Sequence, residues 1–131
     1  MRDLEKVRDT INEALSMLPV AATWLYTIPS ISATELHIAI VPASPIAAER
    51  LVAIGKSLER DTGCNRAITD LSFATYDIVE YVMYRGTVIE DREPLTRQAF
   101  IDALIERRAR EKSERIELQQ ALDKIRVRYA R

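Results

Sequence analysis

The stretch Trp24–Val41, WLYTIPSISATELHIAIV, decides the fold because it has the pattern of two strands joined by a polar loop. Aliphatic and aromatic residues predict the first strand, Val20–Tyr26. A cluster of Ser, Thr and Pro residues predicts the loop, Thr27–Thr34. Alternation of side chains predicts the second strand, Glu35–Val41. The stretch therefore predicts that a β-sheet forms the centre of the domain.

A carboxylate and an imidazole lie on the same face of the second predicted strand. Glu35 and His37 are two residues apart, and side chains alternate across a strand, so the intervening Leu36 faces the other way. Their Cα atoms are expected to lie roughly 6.5–7 Å apart, at about 3.3 Å rise per residue. Side chains at that distance could share a metal ion or a phosphate.

The remaining segments alternate between helical and extended patterns. The predicted elements are a helix at residues 3–18, a helix at Ile46–Asp61, a strand at Asn65–Ser72, a helix at Tyr76–Tyr84 and a short edge strand at Thr87–Ile89. Ser44 is expected to be the N-cap of the second helix, with Pro45 at its first position. Gly63 is expected to end that helix in the left-handed conformation.

The last predicted helix, Thr96–Tyr129, contains no glycine or proline. Its middle part, Glu106–Arg115, has Ala109 as its one apolar residue, which predicts exposure to water on all sides. An apolar stripe follows and is predicted to be an interface; it comprises Leu118, Leu122, Ile125 and Tyr129. The stripe could dock on a second subunit, or the helix could fold back onto its own domain. We predict a domain at residues 1–105 and a projecting helix at 106–131.

These patterns predict an α/β (α+β) fold with a small mixed sheet of about four strands, flanked by helices and followed by a long C-terminal helix. With 131 residues, 47% of them apolar, the chain can bury the core of one domain. No apolar run approaches the roughly 20 residues that a membrane span needs, and the mixed-charge N-terminus is unlike a signal peptide. Cys64 is the one cysteine, which excludes an intramolecular disulfide. We therefore expect a cytoplasmic protein without a membrane partner.

Charge is divided unevenly along the chain. Residues 106–131 carry a net positive charge, and residues 1–105 carry a net negative one. A solvated helix face explains this pattern. The alternative is a basic tail that contacts an acidic partner or RNA.

The stretch resembles the catalytic motif of minimal nucleotidyltransferases (MNT), the small partners of HEPN ribonucleases in two-gene toxin–antitoxin modules. That motif consists of a strand, Gly-Ser, a polar loop and Asp-x-Asp on the next strand. Leu25–Tyr26 matches the apolar pair before Gly-Ser, and Ile38–Val41 matches the continuation of the second strand. Thr27–Ile28 stands in place of Gly-Ser, and Glu35–His37 stands in place of Asp-x-Asp.

A second segment, YVMYRGTVIEDREPLTRQAF, carries the same resemblance. The family ends in a helix, Arg-x-Gly, a short apolar strand, an acid-Arg turn and a helix with Arg and Phe. The matching residues are Arg85, Gly86, Val88, Ile89, Asp91, Arg92, Arg97 and Phe100. The resemblance implies a nucleotidyltransferase-like domain over roughly residues 1–105.

The family's chemistry depends on carboxylates that hold two divalent ions. The resemblance places the three carboxylate positions at Glu35, His37 and Ala67. Mg²⁺ requires hard oxygen ligands, and an imidazole and a methyl group do not supply them. We predict that the motif positions Thr27, Ile28 and these three form no catalytic site, and that no cofactor or metal is bound. Glu35 and His37 remain the weak candidates for a softer ion such as Zn²⁺, for which two ligands are too few.

Three hypotheses follow for the function. The resemblance favours a catalytically inactive, antitoxin-like protein that binds a HEPN-type toxin. The first alternative is an active adenylyltransferase that uses Mg²⁺ and ATP, with a metal site rebuilt from Glu35 and either Asp70 or Asp61. The second is a homo-oligomeric scaffold held by the terminal helices. A protein partner, the toxin or a second copy, is expected in each binding hypothesis, and direct binding of nucleic acid is not expected.

Overall fold

The computed structural model describes residues 4–29 and 34–129. The chain divides into two compact units, Met1–Gln98 and Ala99–Arg131. The helices and strands are α1 (Leu4–Leu15), β1 (Val20–Pro29), β2 (Thr34–Pro42), α2 (Ala48–Thr62), β3 (Ile68–Asp70), a 3-10 turn (Leu71–Phe73), α3 (Tyr76–Arg85), β4 (Thr87–Asp91) and α4 (Pro94–Tyr129).

The first unit contains one four-stranded mixed sheet with the strand order β3-β2-β1-β4. β1 pairs antiparallel with β2 and with β4, and β2 pairs parallel with β3. The parallel pair needs a crossover connection, which α2 supplies. This mixed α+β architecture confirms the predicted fold class, and β4 lies at an edge of the sheet as predicted.

One face of the sheet is covered by helices with an apolar stripe. α1 places Val7, Ile11 and Leu15 on one side at helical spacing, and all three are buried. They pack with strand residues such as Leu25 and Ile38 in a single core cluster. Trp24 is also buried, at 2% exposed, although the alternation of side chains along β1 places it on the other face of the sheet, with Tyr26.

Two glycines allow backbone segments to approach each other closely. A Cβ at Gly55 of α2 would lie 1.8 Å from the carbonyl oxygen of Arg66. A Cβ at Gly86 would lie 2.4 Å from the carbonyl oxygen of Val82 and 3.2 Å from that of Leu25. The second contact brings the end of α3 against β1.

The predicted loop Thr27–Thr34 is wrong at both ends. β1 continues to Pro29 and β2 begins at Thr34, with Ile28 paired to Glu35. Hydrogen bonding between the two strands extends the hairpin past the Ser/Thr/Pro signal, because strand pairing outweighs local preference. The part of the predicted loop at residues 30–33 lies outside the described residues.

The predicted start of α2 is also wrong. The helix begins at Ala48, and Ala47 is its N-cap without a side-chain hydrogen bond, so neither Ser44 nor Pro45 has the predicted role. Ile46 is buried in the core just before the helix, which accounts for an extended backbone there. At the other end Gly63 has φ 73° and its N–H donates to the carbonyl of Glu59. The left-handed cap at Gly63 is therefore confirmed.

The third strand is shorter than the predicted Asn65–Ser72. Side chains turn the backbone at both ends of β3: Asn65 Oδ1 accepts from the N–H of Ala67 at 2.8 Å, and Asp70 Oδ1 accepts from the N–H of Ser72 at 3.0 Å. Such bonds from Asn and Asp compete with strand pairing. Three residues of regular strand remain.

The segment Arg85–Phe100 has structural roles in the first unit. Arg92 donates hydrogen bonds to the carbonyls of Leu15 (2.8 Å) and Leu18 (2.9 Å), where α1 has ended. Arg97 forms an ion pair with Asp91 at 3.0 Å. The guanidinium of Arg92 thus adds a second donor to each of these carbonyls, which also accept the backbone N–H groups of Leu18 and Val20.

The second unit consists of the greater part of α4. One uninterrupted helix runs from Pro94 to Tyr129, which confirms the predicted long helix. Its exposed apolar side chains are Ile116 (53%), Leu118 (61%), Leu122 (42%), Ile125 (52%) and Val127 (78%). The side chain of Tyr129 lies outside the described residues. Among the described helices, none combines the length and the apolar character that crossing a membrane requires.

Candidate functional site

The strand register brings polar and aromatic side chains together on the sheet face opposite α1. Tyr26 of β1 pairs with His37 of β2, and Thr69 of β3 pairs with Ala39, two residues beyond His37. Residues of the same parity share a face, so Tyr26, His37 and Thr69 point the same way. With Glu35 and Tyr81 of α3 they form what we call the tyrosine–histidine cluster.

Tyr26 is at the centre of this cluster and is only 6% exposed. Its ring stacks on the His37 ring with centroids 5.4 Å apart and an interplanar angle of 28°. Its hydroxyl is 2.9 Å from Thr69 Oγ1, which joins the first and third strands of the site across β2. Tyr81 meets the Tyr26 ring edge-on at 6.3 Å, and its hydroxyl donates to the carbonyl of Thr27 at 2.8 Å. The three contacts of Tyr26 fix its phenol ring between the strands and α3, and the hydrogen bond to Thr27 holds Tyr81 in place.

Glu35 and His37 contact each other directly. Glu35 Oε2 lies 3.0 Å from His37 Nε2, and the side chains are 51% and 12% exposed respectively. An ionised carboxylate only accepts hydrogen bonds, so Nε2 carries the proton in this contact. That nitrogen then has no lone pair for a metal ion. A metal that used both side chains would have to break the pair first.

The motif positions from the sequence lie within or next to the strands of the sheet. Thr27 pairs with Leu36 and Ile28 with Glu35, so both lie within a paired strand. Ala67 is exposed and precedes β3. The register places Thr69 on the face of the cluster, and a threonine there supplies no carboxylate.

The two carboxylates considered for a rebuilt metal site have other contacts. Asp70 pairs in register with Ile40, a core residue, and its carboxylate caps the 3-10 turn. Asp61 lies near the end of α2 and is 3.5 Å from Arg60. Within residues 4–29 and 34–129, no three His, Cys, Asp or Glu side chains are grouped so that they could hold a metal ion.

Sequence reasoning missed Tyr26, Thr69 and Tyr81 as members of the site. Tyr26 was assigned to the apolar frame of the first strand, and a single tyrosine in a strand is an ordinary core residue. The register of the hairpin is the signal that locates Tyr26 in the site. A hairpin that continues to Pro29 and Thr34 places Tyr26 opposite His37. The partner at Thr69 follows only from the parallel pairing of β2 with β3.

Comparison with solved structures identifies the same architecture in other proteins. A crystal structure from Shewanella oneidensis aligns with a TM-score of 0.67 at 12% identity, over 90% of this chain and 97% of that chain. The MntA-HepT toxin–antitoxin structure aligns with a TM-score of 0.62 at 15% identity, over 92% and 97%. So does the tri-AMPylated Shewanella oneidensis HEPN toxin in complex with MNT antitoxin, with the same values. No protein-family model and no curated protein matches the sequence.

The chain has a nucleotidyltransferase-like fold. The matched chain in those complexes is the MNT antitoxin, and the alignment covers nearly all of it. The resemblance inferred from the two sequence segments is therefore confirmed for the fold. At 12–15% identity the likeness concerns architecture alone. What the site does has to be argued from its own residues.

Proposed function

We propose that this chain is a catalytically inactive, antitoxin-like protein that binds a HEPN-type ribonuclease toxin in the cytoplasm. The observation that carries the inactive part of the proposal is the position of Tyr26. Its ring stacks on His37 and its hydroxyl contacts Thr69, on the sheet face where the resembling family holds its metal ions. The proposal assigns no cofactor and no catalytic residue to Thr27, Ile28, Glu35, His37 or Ala67.

The chemistry of the remaining side chains supports this proposal. Two-metal phosphoryl transfer needs several carboxylate oxygens around two ions about 3.5–4 Å apart. On this face Glu35 is the carboxylate, and it contacts the nitrogen of His37. Thr69 and Tyr26 contact each other, so their oxygens satisfy one another. Binding of Mg²⁺ would have to break these contacts, and the ion would gain one carboxylate ligand, that of Glu35.

The partner part of the proposal is supported by the fold and by the exposed stripe on α4. The solved structures that share the fold include toxin–antitoxin complexes with a HEPN toxin. Leu118, Leu122 and Ile125 lie within a narrow angular range of the helix, at 100° per residue, and all are more than 40% exposed. Apolar patches of this kind mark protein contact sites. The proposed interface consists of these three residues and Tyr129.

One alternative deserves a direct test because of what similar structures contain. A tri-AMPylated toxin and a toxin–antitoxin complex with AMP-PNP are among the structures that share the fold. An active adenylyltransferase would bind Mg²⁺ and ATP, and ligand binding to the folded state raises stability by about 2.7 kcal/mol at 100 times the dissociation constant. We expect no shift of the urea midpoint on addition of MgCl₂ and ATP, relative to a salt-matched control. A midpoint shift that Glu35→Gln abolishes would show that Glu35 takes part in ligand binding, which would contradict the absence of a cofactor and favour the active alternative.

The partner is tested by co-expression with a HEPN-type ribonuclease from the same genome. We expect the chain to co-purify with the ribonuclease and to restore growth, without added adenylyl mass on the toxin. Leu122→Asp places a charge in the centre of the stripe and should weaken the complex roughly tenfold or more. Gln120→Asp adds the same charge on the opposite side of the helix and should leave affinity unchanged.

Each other result supports a different hypothesis. Added adenylyl mass on the toxin would show catalysis and contradict the inactive part of the proposal. Growth rescue that is insensitive to Leu122→Asp would place the interface elsewhere. A homodimer of the purified chain that Leu122→Asp converts to monomer, with no toxin bound, would favour the scaffold hypothesis.

A further inference from the structure

A cleft of about 600 Å³ lies in the first unit, between the start of α1 and the corner of the sheet. Its walls are largely apolar, and the apolar lining residues are Leu4, Leu25, Leu36, Val88 and Ile89. Clefts of about 300–1,000 Å³ with apolar walls and a few polar groups are typical of small-molecule sites. The volume and the walls of this cleft therefore suit a small ligand with an apolar body.

The cleft exists because β4 is shorter than β1. β4 begins at Thr87, which pairs with Leu25, whereas β1 continues to Pro29. On that side the described sheet has no strand beside the last residues of β1. Gly86 allows the end of α3 to approach the carbonyl of Leu25, so Arg85 is placed at the border of the gap.

The charged lining residues are Glu5, Arg8 and Arg85, which give the cleft a positive balance. Both guanidinium groups are exposed at its border. Within the described part of the chain, neither arginine forms an ion pair with a carboxylate, and Cζ of Arg85 lies 5.8 Å from the centroid of the Tyr84 ring. Guanidinium groups bind carboxylates through paired, charge-assisted hydrogen bonds.

The cleft shares one residue, Tyr26, with the tyrosine–histidine cluster, and its lining contains none of the cluster's other members. Leu25 and Leu36 belong to the opposite parity from Tyr26 and His37, so their side chains leave the other face of the hairpin. Tyr26 borders both regions, because the pairing of β1 with β4 ends at Leu25, one residue before it. A ligand in the cleft would contact neither Glu35 nor Thr69, which are absent from its lining.

We propose that this cleft binds an amphipathic anion, a small molecule with an aliphatic body and a single terminal carboxylate. The aliphatic part lies against the leucines and Val88, and the carboxylate binds Arg8 and Arg85. Glu5 disfavours a second negative charge, which restricts the ligand to a monoanion. This inference does not depend on the toxin-binding proposal, since none of its residues belongs to the stripe on α4.

Titration calorimetry of the full chain with three probes of equal chain length tests the headgroup. We expect decanoate to bind saturably with one site, and neutral decanol and cationic decylammonium to bind at least about tenfold more weakly. Equal affinity for decanoate and decylammonium would overturn the proposal, because the arginines would then not favour an anionic headgroup over a cationic one. Absence of saturable decanoate binding would overturn it as well.

Three variants locate the binding. The double variant Arg8→Gln with Arg85→Gln should weaken decanoate binding about tenfold or more. Arg50→Gln removes an exposed arginine of α2 that lies outside the cleft, and it should leave binding unchanged. Val88→Trp fills the cleft from a position that is 47% exposed, and it should abolish binding without unfolding the chain. Equal affinity in the double variant and in Arg50→Gln would place the bound anion elsewhere.

Discussion

The two faces of the β1–β2 hairpin differ in what their side chains do. On one face Leu25, Ile38 and Ile40 are buried in a continuous apolar core with α1 and α2. On the other face Tyr26 and His37 stack and make polar contacts at the sheet surface. The same backbone carries both sets, because side chains alternate along a strand. A hairpin can therefore keep its fold while one face changes its chemistry.

This difference explains why the fold could be recognised from apolar residues, although Thr27–Ile28 and Glu35–His37 stand in place of Gly-Ser and Asp-x-Asp. The resemblance in the hairpin lies in the apolar frame around Glu35 and His37, and one face of that frame packs against the helices. Packing constrains volume and polarity at buried positions. Replacement of carboxylates on the other face leaves that packing intact. The fold and the activity of such a domain are consequently separable properties.

The largest expected effect is on the apolar face. Ile38→Ala removes a side chain that is 0% exposed at the centre of the sheet, which should lower the free energy of unfolding by roughly 2–5 kcal/mol. Urea denaturation followed by circular dichroism measures this change. Ile28→Ala, at a 39% exposed position of the same hairpin, should cost less than about 1 kcal/mol. Similar losses at both positions would contradict the assignment of Ile38 to the core and of Ile28 to the surface of the hairpin.

The second largest effect is expected where Arg92 binds the end of α1, the helix that packs on the apolar face of the hairpin. Arg92→Ala removes two charge-assisted hydrogen bonds to the carbonyls of Leu15 and Leu18, which should lower the free energy of unfolding by about 1.5–3 kcal/mol. Hydrogen exchange should show faster opening at the end of α1. Arg60→Ala is the control, because that side chain is 78% exposed and should change stability by less than about 0.5 kcal/mol. Equal losses of stability in Arg92→Ala and Arg60→Ala would mean that the hydrogen bonds of Arg92 do not stabilise the end of α1.

Local signals in the sequence predicted the elements whose causes are local. Gly63 ends α2 in the left-handed conformation, as its residue type indicates. Ser44 has an equally good local signal and fails, because burial of Ile46 holds the backbone extended before the helix. The contact between Tyr26 and Thr69 joins residues 43 positions apart, so it depends on the order and register of three strands. The hydrophobic periodicity of a single segment does not predict the order and register of the strands.

A third effect, about 1 kcal/mol, is expected on the polar face. Tyr26→Phe keeps the ring on His37 but removes the hydroxyl that contacts Thr69, and one hydrogen bond contributes about 0.5–1.5 kcal/mol. The same urea titration measures it. Tyr84→Phe serves as the control, because Tyr84 is 83% exposed and should show no change. A loss above that range would indicate that the hydroxyl organises the whole cluster.

The smallest effect is expected at the one residue that retains a carboxylate from the motif. Glu35→Gln weakens the contact with His37, but Glu35 is 51% exposed, and exposed ion pairs contribute about 0–1 kcal/mol. The free energy of unfolding should therefore change less than in Tyr26→Phe. Glu35 would then contribute little to the stability of the fold. A loss as large as that of Ile38→Ala would instead mean that the pair with His37 holds the hairpin together, and the two faces would then be energetically coupled.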